Sequence, residues 1–142
     1  LAGTGGFGLL ARVGDLIARQ RGGKGFLSLE GEEKPLPPSL ADGQSQVACL
    51  SLAGRLLVFG LDELKLQPNG GRGLTLIDLE PKDALVSVAA FGAALRVQGT
   101  GRGGKARDEL LKGVALAPHV GKRARKGKAL SASMKAARVS AA

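Results

Sequence analysis

The chain has 142 residues, 21 Lys and Arg against 12 Asp and Glu, and a net charge of +9, which suits one ordinary domain or part of a larger one. No run of about 18 apolar residues is present, so no transmembrane helix is expected, and the start "LAGTGGFG" lacks the basic and apolar regions of a signal peptide. The single cysteine excludes an internal disulfide framework and fits a reducing cytosol.

The charge is unevenly placed. Residues 1–100 hold 10 basic and 10 acidic residues, whereas residues 101–142 hold 11 basic and 2 acidic ones. A block of that kind attracts polyanions, nucleic acid first among them; the bland alternative is a solvated tail without a specific partner. Four Phe and no Tyr or Trp leave almost no platform for stacking single-stranded bases, so duplex backbone is the better expectation. A first residue that is Leu rather than Met suggests a piece of a longer protein.

In chain order, residues 3–8, "GTGGFG", match G-x-G-x-x-G, but the following "LLARV" reads as a strand. A dinucleotide fold needs a helix there. The stretch "FGLLARVGDLIARQRGGKGFLSL" then opens a pattern that recurs in "AGRLLVFGLDELKLQPNGGRGLTLIDL" and "FGAALRVQGTGRGGKARDELLKG". Each unit starts at a glycine (Gly8, Gly54, Gly92), continues as an apolar strand and reaches an acidic residue followed by leucine (Leu16, Leu64, Leu110). In the first two units a Gly-basic-Gly follows that leucine, Gly23-Lys24-Gly25 and Gly71-Arg72-Gly73. The third unit carries an insertion, "GTGRGGKAR", and its counterpart of the turn aligns best at Gly127-Lys128-Ala129.

Short strands punctuated by glycine predict an all-β fold of propeller-like blades, about four strands each, in a partial arc of about three repeats. The repeats are bounded at about 5–45, 46–84 and 85–130 within a domain spanning 1–130. Residues 131–142, "SASMKAARVSAA", are expected as a basic, flexible or short helical tail. The runs "VACLSL" and "LVSVAAF" each predict a hairpin with the next strand, across Ala53-Gly54 and Phe91-Gly92. The loops "EGEEKPLPPSLADGQSQ" and "EPKDA" connect blades.

Several stretches imitate catalytic chemistry. "GTGRGGKA", residues 99–106, fits a phosphate-binding loop up to its lysine, but Ala106 stands where a magnesium-holding Ser or Thr is needed. His119 is the only histidine, and with Cys49 it makes no zinc set and no triad. Cys49 reads as a buried small hydrophobe. Glu30, Glu32 and Glu33 read as solvated surface.

The Gly-basic-Gly repeats carry a family resemblance. Residues 19–25, "RQRGGKG", are similar to the heptapeptide Q-R-R-G-G-K-G of gyrase. Arg21, Gly22, Gly23, Lys24 and Gly25 match; Arg19 and Gln20 are swapped. Over roughly residues 5–130 the chain resembles the C-terminal domain of the A subunit of bacterial type IIA topoisomerases. Topoisomerase IV is favoured over gyrase, because only one box is near-complete and the chain ends basic rather than acidic.

This resemblance implies a β-pinwheel whose basic rim binds and bends duplex DNA without reading its sequence, supporting ATP-dependent relaxation or decatenation by the parent enzyme. The implied DNA-binding residues are Arg19, Arg21, Gly22, Gly23, Lys24, Gly25, Arg72, Lys122, Arg123, Arg125, Lys126 and Lys128. The implied partners are duplex DNA, the rest of the parent polypeptide and, through it, the ATPase-bearing partner, in the bacterial cytoplasm near the nucleoid and away from membranes. No cofactor is expected in this chain; ATP and Mg2+ would belong to other domains. The family cleaves DNA through a tyrosine, and this chain has none, so no catalytic residue is expected. A gyrase wrapping domain, a protein-interaction propeller fragment and a nucleotide-dependent enzyme are the competing readings.

Overall fold

The computed structural model describes residues 1–16, 27–68, 70–130 and 135–142. Nine strands run through them: β1 (Phe7–Gly8), β2 (Gln46–Ser51), β3 (Arg55–Gly60), β4 (Leu74–Thr75), β5 (Leu85–Phe91), β6 (Ala94–Thr100), β7 (Ala106–Lys112), β8 (Lys128–Ala129) and β9 (Lys135–Ala141). The helical pieces among the described residues are short 3-10 turns, and no helix there is long and apolar enough to cross a membrane. The strands form three antiparallel sheets, ordered β1-β4, β5-β2-β3-β8 and β7-β6-β9. The all-β expectation holds.

The middle sheet is covered on both faces, which explains why "VACLS" and "LLVF" are continuously apolar. Along a strand, alternate side chains face opposite ways. Ala48, Leu50, Leu56 and Val58 therefore point into one core with Phe91, Leu95, Val97, Leu116 and Val139. Val47, Cys49, Leu57 and Phe59 point into another with Ala2, Leu76, Ile77 and Leu85. A bulge lets β5 serve both. Ser51 pairs with Leu85 and Leu50 with Ser87, so Val86 is the extra residue. That extra residue shifts the alternation, placing Leu85 in the second core and Ala89 and Phe91 in the first.

The β2–β3 hairpin forms as expected. The Gly54 N–H donates to Ser51 O at 3.0 Å, and Gly54 supplies the left-handed conformation, φ +87°. The second expected hairpin does not form. β5 pairs with β2, and β6 pairs with β7 and β9, so Phe91-Gly92-Ala93 turns a corner from one sheet into the next. Two apolar runs joined by a tight turn cannot by themselves distinguish pairing from a corner.

The end of the chain also departs from expectation. Lys135–Ala141 is a strand paired with β6, not a frayed or helical tail. The Ser87 hydroxyl accepts from the Val139 N–H at 3.1 Å and ties this strand to β5. The "GTGRGGKA" stretch spans the β6–β7 hairpin, with Gly103 and Gly104 at φ +73° and +76°. It joins antiparallel strands and lacks the strand-to-helix transition of a phosphate-binding loop. Within residues 3–8, Gly3 to Gly6 form a tight turn, the Gly6 N–H donating to Gly3 O at 3.2 Å and the Gly3 N–H to Phe7 O at 3.0 Å, and lead into β1.

Candidate nucleic-acid interface

Arg19, Arg21, Gly22, Gly23, Lys24 and Gly25 lie outside the described residues. The other six expected contacts sit on two loops that end in matching short strands.

The pairings set these loops in register. Phe7 pairs with Thr75 and Gly8 with Leu74, while Arg55 pairs with Ala129 and Leu56 with Lys128. Gly73 and Gly127 hold the same place, each left-handed, at φ +85° and +75°. A β-carbon on Gly73 would overlap the Gly8 carbonyl, and one on Gly127 would stand 2.7 Å from Leu56 O. Both glycines are therefore required by close backbone approach. The sequence alignment of the third turn is corrected by two residues: Arg125-Lys126-Gly127, not Gly127-Lys128-Ala129, matches Gly71-Arg72-Gly73. Lys126 is the counterpart of Arg72.

The segment from Val120 to Ala129 is a cationic loop held at many points along the β3 edge. It leaves through a bridge between Val120 and Val58 and a hydrogen bond from the Gly121 N–H to Val58 O at 2.8 Å. It returns at the β3–β8 pair. Between these, the Ala124 N–H donates to Leu76 O and the Asp78 N–H to Arg125 O, both at 2.9 Å. The Arg123 N–H donates to Glu63 Oε1 at 3.0 Å, and Arg123 Nη1 donates to Thr75 O at 2.7 Å. His119, buried, places Nδ1 3.2 Å from Lys128 O and braces the return from below.

The six described residues fall into two groups. Arg72, Arg123 and Lys126 have partners within the chain. Arg72 lies over the Phe7 ring, 4.0 Å from its centre, and pairs with Glu33 at 2.8 Å and Glu30 at 3.5 Å. The last two carboxylates were expected as plain solvated surface; they are counter-ions. Lys126 Nζ donates to Glu80 Oε1. This hydrogen bond and the lysine's charge lower the Glu80 pKa, and the same contacts raise that of Lys126. Lys122, Arg125 and Lys128 are exposed and make no ion pair among the described residues. Sequence reasoning missed Arg55, which stands opposite Ala129 and acts electrostatically on both Glu80 and Lys126. Its place directly after the repeat glycine Gly54 was the available signal. Among the described residues no group of three or more His, Cys, Asp or Glu could hold a metal ion.

The fold is that of the β-pinwheel C-terminal domains of ParC and DNA gyrase A. The chain superimposes on the Escherichia coli ParC C-terminal domain with a TM-score of 0.82 at 24% identity, over 97% of this chain and 57% of that one. On a DNA gyrase A C-terminal domain the TM-score is 0.71 at 17% identity, over 95% and 45%.

In sequence the chain is similar to the A subunit of DNA topoisomerase 4. It is 29% identical to that of Neisseria gonorrhoeae over 140 residues, which is 94% of this chain and 18% of that protein. It is 32% identical to that of Haemophilus influenzae over 85 residues, 59% of this chain and 11% of that protein. The chain thus spans less than a fifth of the curated relatives it matches. No protein-family model matches it. The resemblance read from the repeats is borne out at the level of a C-terminal module of a type II topoisomerase.

Proposed function

We propose that the chain binds and bends duplex DNA, without sequence preference, as the C-terminal module of the A subunit of a topoisomerase IV. The observation that carries this reading is the loop from Val120 to Ala129. It presents Lys122, Arg125 and Lys128 on a backbone fixed by hydrogen bonds to β3, Leu76 and Asp78. A fixed loop loses little entropy on meeting phosphates, and such contacts position DNA without reading bases. Bending a duplex of 20–30 base pairs costs several kcal/mol, which contacts spread along an arc would offset. The Arg21-to-Gly25 box would add a further contact of the same kind.

DNA breakage, ATP hydrolysis and contact with the ATPase-bearing partner would belong to the rest of the parent enzyme. The nature of the curated relatives favours topoisomerase IV over gyrase as that parent.

The test is a fluorescence-anisotropy titration of the chain against a labelled duplex at several salt concentrations. Neutralising about 5 phosphates gives a slope of roughly −4 to −5 in log affinity against log salt. A slope near zero, or equal affinity for a neutral-backbone analogue, would remove the electrostatic account. Energy transfer between the duplex ends then reports bending.

A further inference from the structure

Arg72 and Lys126 share more than their position before a required glycine. One residue earlier, a backbone carbonyl takes the same hydrogen bond in both places. The Ser28 N–H donates to Gly71 O at 2.8 Å, and the Asp78 N–H donates to Arg125 O at 2.9 Å. Two residues after each donor stands a glutamate, Glu30 or Glu80, that opens a tight turn. Those turns close alike, from the Glu33 N–H to Glu30 O at 3.1 Å and from the Asp83 N–H to Glu80 O at 3.0 Å. In both cases the basic residue is ion-paired to the glutamate at the head of the turn. The partners are far apart in sequence, 39 residues for Arg72 and Glu33 and 46 for Lys126 and Glu80. Each pair therefore joins the acidic turn after one strand set to the basic turn of the next.

We infer that Arg72 and Lys126 are latches that fix the angle between consecutive repeats and are not themselves phosphate contacts. The second half of this statement rests on the DNA-binding reading above; the first does not. A guanidinium bound bidentately by Glu33 and lying on Phe7 has donors on both terminal nitrogens and one planar face committed. Releasing it to a phosphate would leave Glu33, which is more buried than its partner, without a counter-ion. In the incomplete boxes the basic residue thus acts through a carboxylate of the preceding repeat. It shapes the arc on which Lys122, Arg125 and Lys128 stand.

The experiment compares the full chain with Arg72→Ala, Lys126→Ala and two charge exchanges that keep the net charge, Arg72→Glu with Glu33→Arg and Lys126→Glu with Glu80→Lys. Melting, the salt dependence of duplex affinity and duplex bending are measured on each. Arg72→Ala is expected to lower the melting midpoint by roughly 2–8 °C, and its charge exchange to recover at least half of that. The salt slope stays unchanged in all four, while the bend measured by energy transfer broadens in the Ala variants. If Arg72→Ala does not fold, the solvent-exposed Lys126 pair carries the same comparison. A slope reduced by about 1 per replaced cation with no change in melting overturns the latch, because that is the signature of a phosphate contact. If the unaltered chain shows no affinity for duplex, the DNA reading fails. The melting arm then still decides whether the charge exchanges restore a lost latch.

Discussion

Gly73 lies so close to the Gly8 carbonyl that a β-carbon on Gly73 would overlap it, and its φ is +85°. Gly54 has almost the same φ, +87°, yet nothing stands within 4 Å of its missing β-carbon. The two glycines separate conformational strain from steric exclusion. Gly54→Ala is expected to cost about 1–2 kcal/mol, the strain of a left-handed L-residue. Gly73→Ala adds a backbone collision that only separating β1 from β4 relieves, and is expected to cost about 3 kcal/mol or more. Urea unfolding of both variants measures the difference. Equal losses would mean that β4 does not press against β1 as described.

Lys122, Arg125 and Lys128 are the cations of the fixed loop that make no ion pair among the described residues, and their joint replacement by Ala is expected to act on DNA alone. Neutralising about 3 phosphate contacts lowers the salt slope by roughly 2–3. Surface substitutions of this kind usually change stability by about 0.5 kcal/mol or less. Anisotropy titration and melting, run on the same preparation, check both halves. A variant that keeps the full slope places the DNA elsewhere, with the Arg21-to-Gly25 box the next segment to replace.

The legible parts of this fold were those in which hydrophobicity and turn chemistry agree. "VACLSLAGRLLVFG" announces its hairpin because two apolar runs flank a glycine that must be left-handed. β9 was illegible for a physical reason. Ala136 and Val139 are its buried residues, three apart, which is a helical spacing. They both face inward because the pairing slips: Gln98 pairs with Arg138 and Gly99 with Ala136, leaving Ala137 as an extra residue. The bulge also requires Gly99, whose β-carbon would overlap the Lys135 carbonyl. In the candidate site, charge density singles out the stretch that folds as the fixed loop, but composition cannot tell a committed cation from an available one. Arg123 and Lys126 are as basic in sequence as Lys122 and Arg125. Only the positions of Glu63, Thr75 and Glu80 divide them.

Cys49 reports on the core between the middle sheet and the N-terminal ribbon. It is fully buried among Leu57, Leu76 and Leu85, and burial raises its pKa from 9.0 to about 12. The native thiolate population is then on the order of a thousandfold below that of the ordinary thiol. Iodoacetamide at mildly alkaline pH is expected to leave the native chain unmodified over hours and to label it fully in denaturing urea. Mass spectrometry checks this directly. Comparable rates in the two conditions would show that β2 is open to solvent.

The Glu80–Lys126 latch gives a pH dependence whose direction is set by both partners. Glu80 is held below its ordinary value of 4.5, first by the hydrogen bond from Lys126 and then by that lysine's charge. Its contribution is complete above the unfolded value and is lost as pH falls through the lowered native one. Lys126 is held above 10.5 by the same hydrogen bond and then by the Glu80 carboxylate's charge. Its contribution is complete below the unfolded value and is lost as pH rises through the raised native one. The pair therefore acts across the whole neutral range and fails at both extremes. Both groups face solvent, so the effect is small, and salt near 1 M, where the Debye length is about 3 Å, weakens it further. A double-mutant cycle of Glu80→Gln and Lys126→Ala isolates the coupling from other titrating groups. The coupling in melting midpoint is expected to be constant near neutrality and to vanish in acid below the Glu80 titration. A coupling that persists there, or that ignores salt, would show that packing rather than charge joins the two turns.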